Sequence, residues 1–119
     1  MLEVSLVATA SLAALEGQAS GQHYAATKGG LISMMRSLAV ELAQHGVRSN
    51  SILPGWINTD MTHDWLRRDT VKKYLLRRVP MRRCGDTANF GPIAVYLVSD
   101  ASAYHTGDTF VIDGGYSLF

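Results

Sequence analysis

Apolar and polar positions change period several times along the chain. Val4 to Thr9, VSLVAT, is a short valine-rich run, the pattern of a strand buried on both faces. The next segment, ASLAALEGQASGQH, is built of small residues and glycines and predicts a loop. From about Gln22 to Gln44 the apolar residues Leu31, Met34, Met35, Leu38 and Leu42 recur at helical spacing, with Ser20 as candidate N-cap and Gly46 as stop signal. Val47, Ser49, Ser51 and Leu53 then alternate with Arg48, Asn50 and Ile52, a second strand ended by the breaker pair Pro54-Gly55. Pro92 to Ser99 predicts a further helix, entered near Thr87. Thr109 to Ile112 predicts a last strand, closed by Gly114-Gly115.

Strands alternating with long helices imply parallel pairing through right-handed crossovers. The expected fold is therefore α/β: about three parallel strands with flanking helices, a partial Rossmann-like, doubly wound unit. A complete doubly wound nucleotide-binding sheet is assembled from two such halves, and the pattern here supplies one.

Composition narrows the class. At 119 residues the chain fits one domain, and 47% apolar with 18% charged residues is a globular rather than a disordered profile. The net charge of +1 offers no global argument for nucleic acid or an anionic membrane. No apolar run approaches the roughly 18–20 residues of a membrane-spanning helix. The opening MLEVSLVATAS lacks the basic flank of a secretory signal, and the single cysteine, Cys84, cannot form an internal disulfide. These features predict a cytoplasmic protein that uses neither nucleic acid nor membrane as a partner.

Candidate chemistry starts at Tyr24 and Lys28, four residues apart at the head of the long helix. On one helix face their Cβ atoms lie about 5–6 Å apart. An ammonium there favours the phenolate, and a tyrosine so tuned can exchange a proton with a substrate hydroxyl or carbonyl. Taken alone, the pair is as consistent with a decorated helix surface. Ser11 changes that, because it stands just past the first strand, and ligand crevices of open α/β sheets lie outside the carboxyl ends of the strands. A hydroxyl there can donate to an oxygen on which charge develops. The next strand ends in PGWINT, where Pro54-Gly55 opens the backbone and Thr59 offers a hydroxyl to a phosphate. Three features thus converge on one rim.

The set Ser11, YAATK (Tyr24 to Lys28), LPGWINT and TGDTFVIDGGY resembles the short-chain dehydrogenase/reductase family, as does SLAVELAQHGVRSNSILPGWINTDM. The resemblance runs from about Val4 to the C-terminus and is to the C-terminal half of that family's Rossmann domain. It implies hydride transfer between NAD or NADP and a small-molecule alcohol or carbonyl substrate. Tyr24 would be the acid/base. Lys28 would tune it and hold the nicotinamide ribose, and Ser11 would orient the substrate oxygen. Pro54, Gly55, the Ile57 backbone and Thr59 would contact the nicotinamide and a cofactor phosphate. The family's glycine-rich pyrophosphate turn, the residue that discriminates NAD from NADP, the Asn-Ala-Gly segment and a helix asparagine have no counterpart in these residues. RRCGDTANF also lacks the usual proline and glutamate. A second reading is therefore a non-catalytic remnant, an oligomerisation or interaction module.

Other residues admit plainer readings. Residues 60–84 hold Arg67, Arg68, Lys72, Lys73, Arg77, Arg78, Arg82 and Arg83; a solvated helix face is favoured over an anion site, although in the family this segment is the substrate lid. Trp56 and Trp65 flank the expected pocket, and His23 precedes Tyr24. His45, His63 and His105 share no metal-ligand spacing, and Cys84 reads as an inert thiol. Gly29 and Gly30 lie inside the long helix, where close packing against another helix, in the family a subunit contact, is favoured over packing on the chain's own sheet. The first strand, if it lacks a neighbour, is an edge that invites a homo-oligomer or a separate N-terminal half.

Overall fold

The middle strand of the sheet has the least core-like sequence. A computed structural model describes residues 3–118. In chain order its elements are β1 (Val4–Thr9), α1 (Gln22–Leu42), β2 (Val47–Pro54), β3 (Ile57–Asn58), α2 (His63–Leu66), α3 (Asp69–Arg78), β4 (Gly85–Asp86), α4 (Gly91–Val98) and β5 (Thr109–Ile112). The main sheet is parallel in the order β1–β2–β5, with Val4 opposite Val47 and Ser51 opposite Thr109. In β2, Ser49, Asn50 and Ser51 are as buried as Ile52 and Leu53. Burial of a polar group is tolerated only when it is hydrogen-bonded. Ser49 Oγ donates to the Met35 carbonyl of α1 at 2.8 Å. The Asn50 amide donates to the His105 carbonyl at 2.9 Å and accepts from the Asp108 N–H at 3.0 Å. The polar side chains thus stitch the strand to a helix and to the turn that launches β5.

The two helical layers lie on opposite faces of the sheet. Ser5 and Arg48 are register partners and share a face. Ser5 Oγ donates to the Leu97 carbonyl of α4, and Arg48 reaches Ser99 and Ser102 just beyond it. Ser49, one residue on, points the other way, to α1. Since the order β1–β2–β5 steps in one direction, the crossovers through α1 and α4 have opposite hands, and the expectation of right-handed connections throughout fails for one of them. The right-handed rule rests on short strand–helix–strand units. The long excursion from Gly55 to Asp108 relaxes that constraint.

Several local expectations need correction. Ser20 is not the cap of α1: the N-cap is Gly21, and Ser20 itself adopts φ +61°. The helix passes into a 3-10 turn over Ala43–His45 before Gly46, at φ +78°, stops it. The region expected to be plain loop contains a 3-10 turn over Leu12–Ala14. Near Thr87 a 3-10 turn over Thr87–Asn89, held by reciprocal Asp86 and Asn89 capping bonds, precedes α4. Not anticipated at all was a second, two-stranded parallel sheet, with Ile57 opposite Gly85 and Asn58 opposite Asp86. It ties together the two ends of the α2–α3 segment.

The principal core cluster joins Leu12, Ile32, Leu53, Leu66, Leu75 and Val79, so it sits beneath the carboxyl end of β2. Among the described residues no strand pairs with the outer edge of β1. The outer face of α4 leaves Val95 and Val98 exposed. The radius of gyration, 15.8 Å, exceeds the about 13–14 Å of a compact chain this long. No described helix is long and apolar enough to cross a membrane.

Candidate active site

Ser11 lies two residues past the end of β1, in extended backbone, and its Oγ accepts from the Ala13 N–H at 3.2 Å to cap the 3-10 turn. That bond occupies a lone pair and leaves the hydroxyl proton free to donate elsewhere. Tyr24 occupies the first turn of α1 and is 43% exposed. One turn later Lys28 Nζ donates to the Thr9 carbonyl at the end of β1, 3.1 Å away, and lies 5.8 Å from the centre of the Tyr24 ring. The lysine therefore spans from helix to strand behind the tyrosine.

The exit from β2 is held tightly. Gly55 N–H donates to the Ile112 carbonyl at 2.9 Å. A Cβ on Gly55 would stand 2.5 Å from Asp113 Cβ and 2.7 Å from its Cα, so the chain passes where only glycine fits. Beyond it the Thr62 hydroxyl donates to the Ile57 carbonyl at 2.6 Å, accepts from the Thr59 N–H at 3.0 Å and shares a 3.2 Å bond with the Thr59 hydroxyl. This knot orients the entry to α2. Asp113 faces the same turn. Burial works to raise its pKa, but bonds from Ser117 and from the Gly115 N–H outweigh that and hold it below the ordinary carboxylate value.

Ser11, Tyr24, Pro54, Gly55, Ile57 and Thr59 line one cavity of about 380 Å³. Of the residues singled out from the sequence as catalytic or cofactor-binding, only Lys28 is outside its wall, behind Tyr24. Trp56 also lines it and stacks on Trp65, ring centres 4.8 Å apart, whereas Trp65 does not reach the cavity. His23 is not in the wall either. Among the lining residues that the sequence did not single out are Glu16, Gln18 and Tyr116. The Tyr116 hydroxyl accepts from Arg78 at 2.8 Å, and the guanidinium lies 4.5 Å from the ring centre. No spacing rule links residue 78 to residue 116, so only the fold could pair them.

The remaining basic residues of the lid segment are mostly exposed, and Arg82, at φ +58°, caps the end of α3 by donating to the carbonyls of Leu76 and Arg77. Burial pushes the Cys84 thiol above its ordinary pKa, against the lowering influence of Lys72 and with a smaller upward push from Asp86. Such a thiol is a poor nucleophile. Among the described residues no group of three or more His, Cys, Asp or Glu side chains could hold a metal ion.

A family model described as enoyl-(acyl carrier protein) reductase matches residues 3–117. An L-rhamnose 1-dehydrogenase (NAD(P)(+)) of Sphingomonas sp. is 40% identical over 111 residues, covering 93% of this chain and 44% of the relative. The structure of a short-chain type dehydrogenase/reductase from Mycobacterium ulcerans superposes with a TM-score of 0.92 at 32% identity, over 96% of this chain and 42% of that one. A 4-hydroxyisoleucine dehydrogenase complexed with NADH gives a TM-score of 0.94 at 29% identity, over 97% and 47%. The chain thus spans about half the length of the relatives it matches. With matching sequence along nearly its whole length and the same fold, the chain belongs to the short-chain dehydrogenase/reductase family of oxidoreductases.

Proposed function

We propose that this chain is the catalytic half of an NAD(P)-dependent oxidoreductase that acts on an alcohol or carbonyl of a small molecule. The observation that carries this reading is the convergence of Ser11 and Tyr24 on one cavity, with the Lys28 ammonium held behind the tyrosine. In this reading Tyr24 gives a proton to, or takes one from, the substrate oxygen. Ser11 donates its free hydroxyl proton to the same oxygen and fixes its position. Lys28, anchored on Thr9, keeps a positive charge beside the Tyr24 ring.

The residues suit one end of the cofactor. Pro54, Gly55, the Ile57 backbone and Thr59 form the wall beside Tyr24 and would hold the nicotinamide and a phosphate, while Tyr24 and Lys28 would hold its ribose. When bound, NAD(P) supplies or accepts the hydride. A pyrophosphate-binding glycine-rich turn is not encoded in these residues, so we assign it to an N-terminal half that adds its strand to the open edge of β1. Residues 60–84 then serve as the substrate lid, and α1 as a contact between subunits of a homo-oligomer.

Replacement of Tyr24 by phenylalanine in the cofactor-competent polypeptide that carries this chain should lower turnover by about 10²–10⁴-fold and leave NAD(P)H binding nearly intact. A Tyr24→Phe variant with undiminished turnover would overturn the assignment. The second reading, a non-catalytic interaction module, draws on the unpaired β1 edge and the exposed Val95 and Val98. Fluorescence titration of NADPH and NADH into the 119-residue chain alone and into the chain joined to an N-terminal half separates the two, since only the catalytic reading expects binding to be gained. The catalytic reading expects binding to the chain alone to be far weaker than with the N-terminal half present.

A further inference from the structure

Glu16 is the only charged side chain among the described residues in the wall of the cavity that Ser11 and Tyr24 share. Its backbone is fixed by donation to the Leu12 carbonyl at 3.0 Å. One carboxylate oxygen, Oε1, is buried and has no hydrogen-bond partner, and no cation among the described residues pairs with the group. Buried polar atoms in native proteins are almost always satisfied, and an exception calls for an explanation. The two cations beside the site are engaged elsewhere, Lys28 with the Thr9 carbonyl and Arg78 with the Tyr116 hydroxyl. Gln18, in the same wall, also makes no side-chain hydrogen bond among the described residues.

From this geometry we infer that Glu16 is a substrate-recognition residue: its carboxylate accepts hydrogen bonds from hydroxyls of a neutral polyhydroxylated substrate, a sugar or polyol, and rejects substrates bearing their own carboxylate. The inference rests on the dehydrogenase reading above and deepens it. An ionised carboxylate only accepts, so whatever completes it must bring donors. A polyol brings several, and the rest of the wall fits one. The Gln18 amide can donate and accept, and the Trp56 and Tyr116 rings suit the C–H faces of a sugar. A single ammonium would satisfy Glu16 but would leave those neutral groups unmatched. A substrate carboxylate would instead meet a like charge in a cavity where water screens the repulsion less than in bulk.

The test compares kcat/KM for three sets of probes with the cofactor-competent polypeptide: neutral aldoses and alditols, aldonates, and amino sugars. Neutral probes should be preferred. Glu16→Gln keeps the shape but removes the charge. It should raise KM for the neutral probes about tenfold or more, and shrink the neutral-to-aldonate preference by a similar factor. The preference is a ratio within one preparation, so partial misfolding of the variant cancels. An unchanged ratio would refute the inference, as would a wild-type preference for aldonates or amino sugars. A lowered melting temperature with the ratio unmoved would also refute it, because the donor to Glu16 would then belong to the protein. Tyr24→Phe separates the two levels. If that variant is inactive and the ratio does not respond to Glu16→Gln, only the role of Glu16 falls. If no probe is turned over, the polyol role of Glu16 falls while the dehydrogenase reading stands; if Tyr24→Phe stays active, the dehydrogenase reading falls and the role of Glu16 with it.

Discussion

Adding one methyl group at Gly55 should disturb fold and site together. In Gly55→Ala the new Cβ would lie 2.5 Å from Asp113 Cβ and 2.7 Å from Asp113 Cα. Carbon atoms pack at about 3.5–4.0 Å, so a relief of roughly 1 Å is needed. The obstacle is backbone rather than the end of a flexible side chain. Escape is restricted further, because the Gly55 N–H is bonded to the Ile112 carbonyl at 2.9 Å, and Asp113 is held by Ser117 and Gly115. Overpacking of this kind costs about 1–3 kcal/mol. The displacement would pass directly to Ile57 and Thr59, the next residues of the chain in the cavity wall beyond Trp56. A 1 Å misplacement near reacting groups can cost about 10²-fold in rate.

Two measurements on this variant check the reasoning. Urea denaturation should show a lower midpoint with the same slope, and NAD(P)H affinity should fall together with kcat/KM for whatever alcohol is oxidised. Wild-type stability and wild-type cofactor affinity in Gly55→Ala would refute the claim that close approach of β2 and β5 shapes this wall. Loss of stability with unaltered affinity would keep the packing argument but detach the turn from the cofactor.

Gly29 and Gly30 give the opposite case, since a Cβ at either would meet nothing within 4 Å among the described residues. Alanine there should stabilise α1 by about 0.5–1 kcal/mol each, yet weaken self-association in sedimentation if the face is the subunit contact proposed; an unchanged assembly mass would reject that contact. Asn50→Asp keeps the acceptor for the Asp108 N–H but loses the donor to the His105 carbonyl and buries a charge. It should cost at least about 2 kcal/mol in urea unfolding. Asp113 is held below the ordinary value of 3.8 when folded and returns towards it when unfolded, so the unfolded chain binds more protons in that window. Its stabilisation is present above that value and lost as pH falls through the folded pKa; Asp113→Asn should flatten this acid limb in urea titrations, and an unchanged limb would contradict it.

The sequence exposed the features that depend on local chemistry and hid those that depend on distant partners. The apolar run at Val4–Thr9 and the strand at Thr109–Ile112 are legible because period and breakers are local. Ser11, Tyr24 and the Pro54-Gly55 turn are legible as a group because parallel strands place their carboxyl-end loops on one rim. Ser49, Asn50 and Ser51 could not be read as core from polarity alone: Ser49 is satisfied by Met35, and Asn50 by His105 and Asp108, all distant in the chain. Pairing of Ile57–Asn58 with Gly85–Asp86 is equally non-local, as each segment is too short to carry a period.

That division also explains Gly29-Gly30. Among the described residues no part of the sheet packs against the pair, since a Cβ at either glycine would meet nothing within 4 Å. Two glycines inside a 21-residue helix weaken it by about 1 kcal/mol each, and nothing within the described residues offsets that loss. The same holds for the unpaired edge of β1 and the exposed valines of α4. All three concern surfaces whose counterparts would come from outside these residues. In the cavity wall Glu16 Oε1 is buried without a hydrogen-bond partner, and its missing donor is the one that we assign to the substrate.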